Sequence, residues 1–362
     1  MEASNWIRTA ALATVMAVAA SGSAVAGCAE GDWKDCAGQP WVDGDVMETP
    51  LGSKWWPHPI WGAGDEAGST NWYTKPEVVQ RALALAKTGN TLKIGHEYVA
   101  EMPLFGARKF SMRIPGGPTG GPFGATKLMY NDEFLATEIG QVGTQFDGLG
   151  HIGVAVGEPG DKTNMRWYNG FTAQEMNGAY GLNRLGTEKL HPIVARGIML
   201  DIAAARGVES MEAGEVITMA DVENALKKQG MDGYKFMEGD AIIFRTGWEK
   251  YWITDNATYN NGAPGIGMEV ARWIAEDVKA GVTGGDTWPV DAVCGAGTKC
   301  EVPPGCVFCV HAYLQTRHGI VNQENMKLSE LASKGVYEFT YLYTPVPIKG
   351  ATGSTGSPIA MW

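Results

Sequence analysis

The chain has 362 residues, of which 44% are hydrophobic and 10% are aromatic, so it is long enough to bury a sizeable core. Its 29 basic and 40 acidic residues give a net charge of −11. No run of basic residues occurs, which argues against nucleic-acid binding. The 49 glycines are spread without a repeat, which indicates many turns rather than a fibre.

Residues 1–26 have the composition of an export signal. Arg8 precedes an apolar run over residues 10–20 that is too short to span a membrane, and Ala24-Val25-Ala26 fits the small-residue cleavage pattern. An ordinary N-terminal helix is one alternative. A bacterial lipoprotein box ending in a lipidated Cys28 is another. We therefore expect a periplasmic or secreted protein without a transmembrane segment, anchored by lipid only if Cys28 is modified.

The six cysteines form three close pairs, which predicts local disulfides in an exported protein. We predict Cys294–Cys300, and also Cys28–Cys36 if Cys28 is not lipidated. The third pair, Cys306 and Cys309, stays open because both residues lie on a predicted strand, where positions i and i+3 face opposite sides. A zinc or redox Cys-x-x-Cys is its alternative interpretation.

Residues 27–60 are rich in Trp, Pro, Gly and Asp, so we predict an irregular arm packed on the surface of a domain over residues 61–362. The first predicted helix begins at a capping box, Thr74-Lys-Pro-Glu77, and ends at Gly89. Three strands then follow, over residues 91–99, 109–114 and 134–139. The Gly- and Pro-rich segment 115–124 is interpreted as a lid or wall of a site, with a surface excursion as the alternative.

The second half of the chain alternates strands and helices after a further insertion at residues 157–196. Strands are predicted over 197–203, 241–246, 282–286, 305–314 and 336–348, and helices over 218–228 and 268–279. The chain has no Rossmann fingerprint, no P-loop and no internal repeat. We therefore predict a single α/β domain with long loop insertions.

The segment from Gln141 to His151 supplies side chains that suit a divalent cation. Gln141, Gln145, Asp147 and His151 carry amide, carboxylate and imidazole groups, and the glycines between them let the backbone turn so that these groups converge. On spacing alone, a turn that contains a structural histidine explains the segment equally well.

Of the other histidines, His311 has a candidate partner. It ends a predicted strand, and Glu324 follows after a turn, so both side chains could lie on one side of the site. Of the remaining histidines, His58 is predicted to be a packing or substrate-wall residue. His96 and His191 are predicted to be structural, and His318 to face solvent.

The order of these motifs resembles that of the cyclase-like metal-dependent hydrolases, the group of bacterial kynurenine formamidases and isatin hydrolases. Residues 141–151 are similar to its signature, His-x-Gly-Thr-His-x-Asp-x-Pro-x-His. Further matches run in order through residues 61–360, at 61–71, 239–248, 285–287, 311–325 and 350–358. The resemblance implies a swivelling β/β/α fold, assembled as a homodimer or homotetramer. It also implies a zinc- or manganese-activated water that opens an amide, lactam or lactone.

Carried over to this sequence, the resemblance makes Asp147, His311 and Glu324 metal ligands. His151 would be the general acid or base beside the metal-bound water.

The sequence departs from the signature at three positions. Gln141 and Gln145 stand where it has histidines, and Leu149 stands where it has proline. Because an amide oxygen is a weaker ligand than imidazole, we expect one divalent ion, Mn or Zn, rather than two. Gln145 and Gln141 would coordinate this ion through oxygen or orient the water.

Three functions are compatible with these residues. The first is an exported metal-dependent hydrolase of an amide, lactam, lactone or ester of a small, aromatic molecule, with Phe146 and Trp288 at the substrate. The second is a metal-dependent lyase or dehydratase that acts on a hydroxy acid, and the third is a binding protein that has lost catalysis. Selectivity is expected to reside in residues 105–130 and 157–196, which match no recognisable pocket chemistry.

Overall fold

The structure, a computed structural model, describes residues 55–155 and 165–362. The predicted export signal, residues 27–54 of the predicted arm and the predicted pair Cys28–Cys36 lie outside the described residues. Trp55 and Trp56, near the end of that arm, are buried in the core rather than packed on the surface. Within the described ranges, no helix combines the length and apolar character that crossing a lipid bilayer requires.

The strands of the described part are short except for one near its middle. In chain order they are β1 (Thr91–Lys93), β2 (Phe110–Arg113), β3 (Gly120–Phe123), β4 (Leu128–Tyr130), β5 (Phe134–Thr137), β6 (Gln145–Asp147), β7 (Val154–Ala155), β8 (Met165–Arg166), β9 (Ile193–Asp201), β10 (Val216–Ile217), β11 (Ala241–Arg245), β12 (Gly265–Ile266), β13 (Val282–Gly285), β14 (Val321–Glu324), β15 (Glu338–Tyr343), β16 (Gly353–Thr355) and β17 (Ile359–Met361).

The α-helices are also short. They are α1 (Pro76–Leu83), α2 (Ala173–Met176), α3 (Ile202–Arg206), α4 (Met219–Lys228), α5 (Asn256–Asn260), α6 (Met268–Arg272), α7 (Cys309–His311) and α8 (Ser329–Ser333). The helices α6 and α7 continue into π-helical turns, Trp273–Val278 and Ala312–Arg317.

A nine-stranded mixed sheet forms the centre of the molecule, in the order β1-β17-β15-β9-β11-β13-β14-β6-β16. The strands β9, β11, β13 and β14 are parallel to one another, whereas β6 and β16 add to one end in antiparallel pairs. The prediction of an α/β fold is confirmed at this level.

Two hydrophobic clusters pack on the two faces of the sheet. Along β11, Ile242 and Phe244 enter one cluster, while Ala241 and Ile243 enter the other. This strand is therefore buried on both faces, which explains its nearly continuous apolar sequence. The helix α4 joins the first cluster, after Thr218 and Asp221 form the capping box that begins it.

The predicted strand over residues 305–314 is wrong, because the chain there forms α7 and the π-helical turn that follows it. The carboxylate of Asp291 accepts hydrogen bonds from the backbone N–H groups of Val310 (2.8 Å) and His311 (3.1 Å) at the start of this helix. A cap that is distant in sequence thus decides the conformation of a segment whose local pattern favours a strand.

The predicted capping box at Thr74 is also wrong. A 3₁₀-helix, Gly68–Thr74, runs directly into α1, so the Thr74 hydroxyl donates to the carbonyl of Asn71 (2.8 Å) within that first helix. The N-cap of α1 is Lys75, with Pro76 in the first turn.

Residues 110–137 form two antiparallel ribbons, β2–β5 and β3–β4. The segment 115–124 is therefore partly a strand, and none of its residues lines the cavity of the candidate site described below. The side chains of β5 are largely exposed. Apolar side chains on both ribbons face outwards, with Met112, Phe123 and Phe134 each more than half exposed.

The structure contains the disulfides Cys294–Cys300 and Cys306–Cys309. The first confirms the prediction. The second pair stays open on sequence grounds because a strand is predicted there. In the structure α7 begins at Cys309 and the chain turns between the two residues, with their Cα atoms 5.4 Å apart. This turn removes the geometric objection.

Asp286 joins the ends of two neighbouring parallel strands, and its removal tests how much that junction stabilises the fold. Its buried carboxylate accepts from the N–H (2.8 Å) and hydroxyl (2.7 Å) of Thr246 and from the N–H of Gly247 (2.7 Å). The Asp286→Ala variant leaves these buried donors unpaired. We therefore expect the free energy of unfolding, measured by urea denaturation, to fall by about 3 kcal/mol.

The matched control is Glu330→Ala, which removes a solvent-exposed pair with Lys334 (3.5 Å). That change should alter the free energy of unfolding by no more than about 0.5 kcal/mol. Equal small effects for both variants would show that the Asp286 junction is not stabilising.

Candidate metal centre

The candidate site lies on one face of the sheet, near the end formed by β14, β6 and β16. Gln145 pairs with Glu324 across β6 and β14, and Asp147 pairs with Asn322. Since side chains alternate along a strand, Gln145 and Asp147 face the same side. Phe146 points to the opposite side, where it is fully buried against Tyr343. The structure therefore does not bring Phe146 to the substrate cavity, contrary to the prediction.

Asp147, His311 and Glu324 converge from β6, α7 and β14. The Nε2 atom of His311 lies 3.0 Å from Oε1 of Glu324 and 3.5 Å from Oδ2 of Asp147. One ligand atom from each residue lies within 4.8 Å of the other two, and all three side chains are buried. Two carboxylates and an imidazole suit divalent manganese, zinc or iron.

Asp147 provides a test of whether these residues fit an ion. Its Oδ2 atom is buried and has no hydrogen-bond partner, although buried polar atoms are normally paired. This unpaired oxygen faces the Nε2 atom of His311, within the ligand cluster. The three residues therefore fit a divalent cation.

Asp291 orients His311, and sequence reasoning missed it. The Oδ2 atom of Asp291 lies 2.5 Å from Nδ1 of His311. A carboxylate on one ring nitrogen fixes the tautomer and directs the other nitrogen towards a metal. Twenty residues separate the pair in sequence, so no local motif could have shown it.

The two glutamines hold the carboxylates of the cluster through their amide nitrogens. Gln145 Nε2 donates to Oε2 of Glu324 (2.8 Å), and Gln141 Nε2 donates to Oδ1 of Asp147 (2.8 Å). The oxygen of Gln141 accepts from Nη2 of Arg108 (3.0 Å). Because a guanidinium can only donate, Arg108 fixes which end of the Gln141 amide faces Asp147.

His151 reaches the site from the turn that follows β6. The backbone N–H of His151 donates to the carbonyl of Gly148 (3.0 Å), and its Nε2 atom lies 3.9 Å from Oδ1 of Asp147. A Cβ atom at Gly148 would lie 2.8 Å from the carbonyl oxygen of Thr352, so this close approach requires glycine. Leu149, the residue that replaces proline, is buried in the core.

Burial and neighbouring charges shift the pKa values of the titratable groups of the cluster in different directions. Burial and the neighbouring Asp147 raise the pKa of Glu324 to about 7. Burial also acts to raise the pKa of Asp147, but His151 and His311 outweigh it and lower this pKa. Burial acts to lower the pKa of His311, but Asp291, Asp147 and Glu324 raise it well above its usual value. Burial lowers the pKa of His151, against the opposing effect of Asp147, so its imidazole is neutral at pH 7.

A cavity of about 200 Å³ opens onto the cluster. The predicted residue Trp288 lines it and stacks on Phe105, with ring centroids 4.2 Å apart, while Phe308 lies edge-on to Trp288 at 6.1 Å. The full lining is Phe105, Arg108, Gln141, Gln145, Asp147, His151, Ile152, Trp288, Pro289, Phe308, His311 and Glu324. Phe105 and Arg108 belong to the segment 105–130, where selectivity is expected, but nothing in the sequence singles them out.

The histidines predicted to be structural do not line this cavity. His96 stacks on Trp252 with centroids 4.2 Å apart. The prediction that His318 faces solvent is wrong, because its ring packs 4.7 Å from that of Tyr313 and its Nε2 atom is buried.

Comparisons with known proteins identify a family and several similar structures. The Cyclase family model matches residues 92–292, more than half of the chain. A crystal structure described as a novel cyclase is similar with a TM-score of 0.69 and 28% sequence identity, covering 83% of this chain and 96% of that chain. No curated protein matches the chain.

Two isatin hydrolases share the fold at lower sequence identity. Isatin hydrolase A from Labrenzia aggregata, bound to benzyl benzoate, has a TM-score of 0.52 and 17% identity, covering 79% of this chain and 97% of that chain. Isatin hydrolase A from Ralstonia solanacearum has a TM-score of 0.51 and 16% identity, covering 79% and 98%.

Replacement of Asp147 should remove the ion. We expect one equivalent of manganese or zinc per parent chain, measured by elemental analysis after reconstitution, and less than a tenth of this in Asp147→Asn. Asp132→Asn, which changes an exposed aspartate of the ribbon region, is the control and should keep the parent content. Retention of the ion by Asp147→Asn would contradict the assignment.

Metal affinity should fall with acidity, because the ion must displace protons from Glu324 and from Nε2 of His311. With the pKa of Glu324 near 7, its carboxyl is increasingly protonated below that pH. The dissociation constant of manganese should therefore rise by about tenfold or more for each pH unit below 7.

Isothermal titration between pH 5.5 and 8 measures this slope. Repeating it in two buffers of different ionisation enthalpy counts the protons that are released. A dissociation constant independent of pH, with no proton release, would contradict the expectation.

Proposed function

The chain belongs to the cyclase family, and from that premise we propose that it is an exported metal-dependent hydrolase. Its substrate would be an amide, lactam, lactone or ester of a small aromatic molecule. The observation that carries the proposal is the buried cluster of Asp147, His311 and Glu324 at a cavity whose wall includes His151.

Asp147, His311 and Glu324 would hold one divalent ion, manganese or zinc. When bound, such an ion lowers the pKa of a water and polarises a carbonyl group. Gln145 and Gln141 keep the carboxylates in place through hydrogen bonds, which supports one ion rather than two.

His151 would act as the general acid and base. Its neutral imidazole borders the cavity, with Nε2 3.9 Å from a carboxylate oxygen of Asp147. Nε2 would accept a proton from the attacking water and return it to the leaving nitrogen or oxygen. The nearby carboxylate favours the charged imidazolium that forms between these two transfers.

Aromatic side chains would bind the substrate ring. Trp288, Phe105 and Phe308 form a wall on which a planar ring can stack. The cavity of about 200 Å³ suits a molecule smaller than a typical drug. Phe146 takes no part, because it lies on the other face of the sheet.

Export and assembly are the remaining parts of the proposal. Residues 1–26 would direct the chain to the periplasm or the outside of the cell, with a lipid on Cys28 as the alternative form. The disulfides Cys294–Cys300 and Cys306–Cys309 are compatible with an oxidising compartment. The chain would adopt the swivelling β/β/α arrangement and assemble as a homodimer or homotetramer.

Replacement of His151 tests the catalytic part of the proposal. His151→Ala should lower kcat by about 10²- to 10⁴-fold with unchanged metal content, because it removes the proton carrier and no metal ligand. The assay follows ring opening or hydrolysis of isatin, an N-aryl formamide and an aryl lactone, with product identification by mass spectrometry.

His191→Ala is the control, since His191 lies outside the cavity, and it should keep the parent kcat. Full activity of His151→Ala, or of enzyme stripped by a chelator, would contradict the proposal. Loss of water from a hydroxy acid, without hydrolysis of any of these substrates, would favour the lyase.

A further inference from the structure

Arg108 is the one arginine or lysine among the described residues that line the cavity. Its Nη2 atom donates to Oε1 of Gln141 (3.0 Å), and no carboxylate of the described residues lies within ion-pair distance of its guanidinium. Three other arginines differ in this respect, because each pairs with an aspartate: Arg196, Arg206 and Arg245. Arg108 therefore brings to the cavity a positive charge that forms no ion pair within the described part of the chain, and Glu138 acts on it only at longer range.

The remaining charges of the cavity do not neutralise Arg108. The carboxylates of Asp147 and Glu324 lie within the candidate metal cluster, where the two charges of a bound divalent ion would match them. One guanidinium N–H is used by Gln141, and its planar fork has further N–H groups suited to a carboxylate.

This charge lies over an aromatic ring of the cavity wall. The guanidinium carbon of Arg108 is 5.6 Å from the centroid of Phe105, and Phe105 stacks on Trp288. A planar ring packed on this aromatic wall would lie close to the guanidinium of Arg108. The wall thus combines stacking with recognition of a negative charge.

We propose that Arg108 is a specificity-determining residue that binds a carboxylate on the substrate, so that the preferred substrates are aryl compounds with an anionic group beside the bond that is cleaved. The statement about preferred substrates rests on the proposed hydrolase function. Its physical content, selective binding of aryl carboxylates at Arg108, does not require turnover.

Arg108 is also connected to the metal cluster through hydrogen bonds. Arg108, Gln141 and Asp147 form a continuous chain of hydrogen bonds from the cavity wall to the metal cluster. A carboxylate that binds Arg108 therefore docks beside the amide that positions Asp147, and it does not need to displace a ligand of the ion.

The experiment compares benzoate with benzamide, which have similar shape and differ in charge. Dissociation constants are measured on the metal-loaded protein by quenching of tryptophan fluorescence and by calorimetry. The parent should bind benzoate at least about tenfold more tightly than benzamide, as expected for charge-assisted hydrogen bonds. In Arg108→Gln this ratio should fall to about threefold or less, with metal content unchanged.

Two further variants separate recognition from a structural role. Arg108→Lys keeps the charge without the fork and should retain an intermediate preference for benzoate. Arg113→Gln is the matched control, because Arg113 also lies over a phenylalanine, Phe134, at 5.0 Å, but on an exposed ribbon outside the cavity. This control should keep the parent ratio.

An unchanged ratio in Arg108→Gln would overturn the inference, because benzoate would then be bound by the ion alone. Loss of binding of both probes with loss of metal would also overturn it, since Arg108 would then only support the cluster through Gln141. If the ratio collapses as expected while no amide or ester is hydrolysed, the inference stands and the proposed function fails.

Discussion

The contact between Asp291 and His311 is the constraint on which the rest of the site depends. One carboxylate accepts hydrogen bonds from two backbone N–H groups and from the ring of His311, so the start of α7 and the direction of the imidazole are fixed together. The helix then returns through a π-helical turn to β14, which carries Glu324. The local sequence alone explains neither the helix nor the convergence of the three ligands, and the contact with Asp291 accounts for both.

Two glutamines occupy the positions where the family signature has histidines, and they act as hydrogen-bond donors. Each amide nitrogen donates to a carboxylate of the cluster, which reduces the freedom of buried acidic groups that would otherwise repel one another. At these two positions the chain therefore has hydrogen-bond donors to the carboxylates of Asp147 and Glu324 in place of imidazole ligands. Arg108 extends this network to the cavity wall.

The sequence predicts those features that local patterns determine. The strand at Ala241–Arg245 and the helix after Thr218 follow from apolar runs and a capping box, and the residues Asp147, His311 and Glu324 follow from the order of the motifs. The structure of residues 305–314 could not be predicted in this way, because Asp291 caps that helix from a distant loop. The placement of Phe146 is a different error, because residues 141–151 are interpreted from the sequence as a turning segment. Residues Gln145–Asp147 instead form a strand, whose alternation puts Phe146 opposite Gln145 and Asp147.

The disulfide Cys306–Cys309 encloses Phe308, a wall of the cavity, and its second cysteine is the first residue of the helix that carries His311. Such a bond persists where thiols are oxidised and is rare where glutathione keeps them reduced. A copy of the chain retained in a reducing cytosol would keep every metal ligand but lack the covalent tether of this wall. The shape of the cavity is thereby linked to the compartment in which the chain has folded.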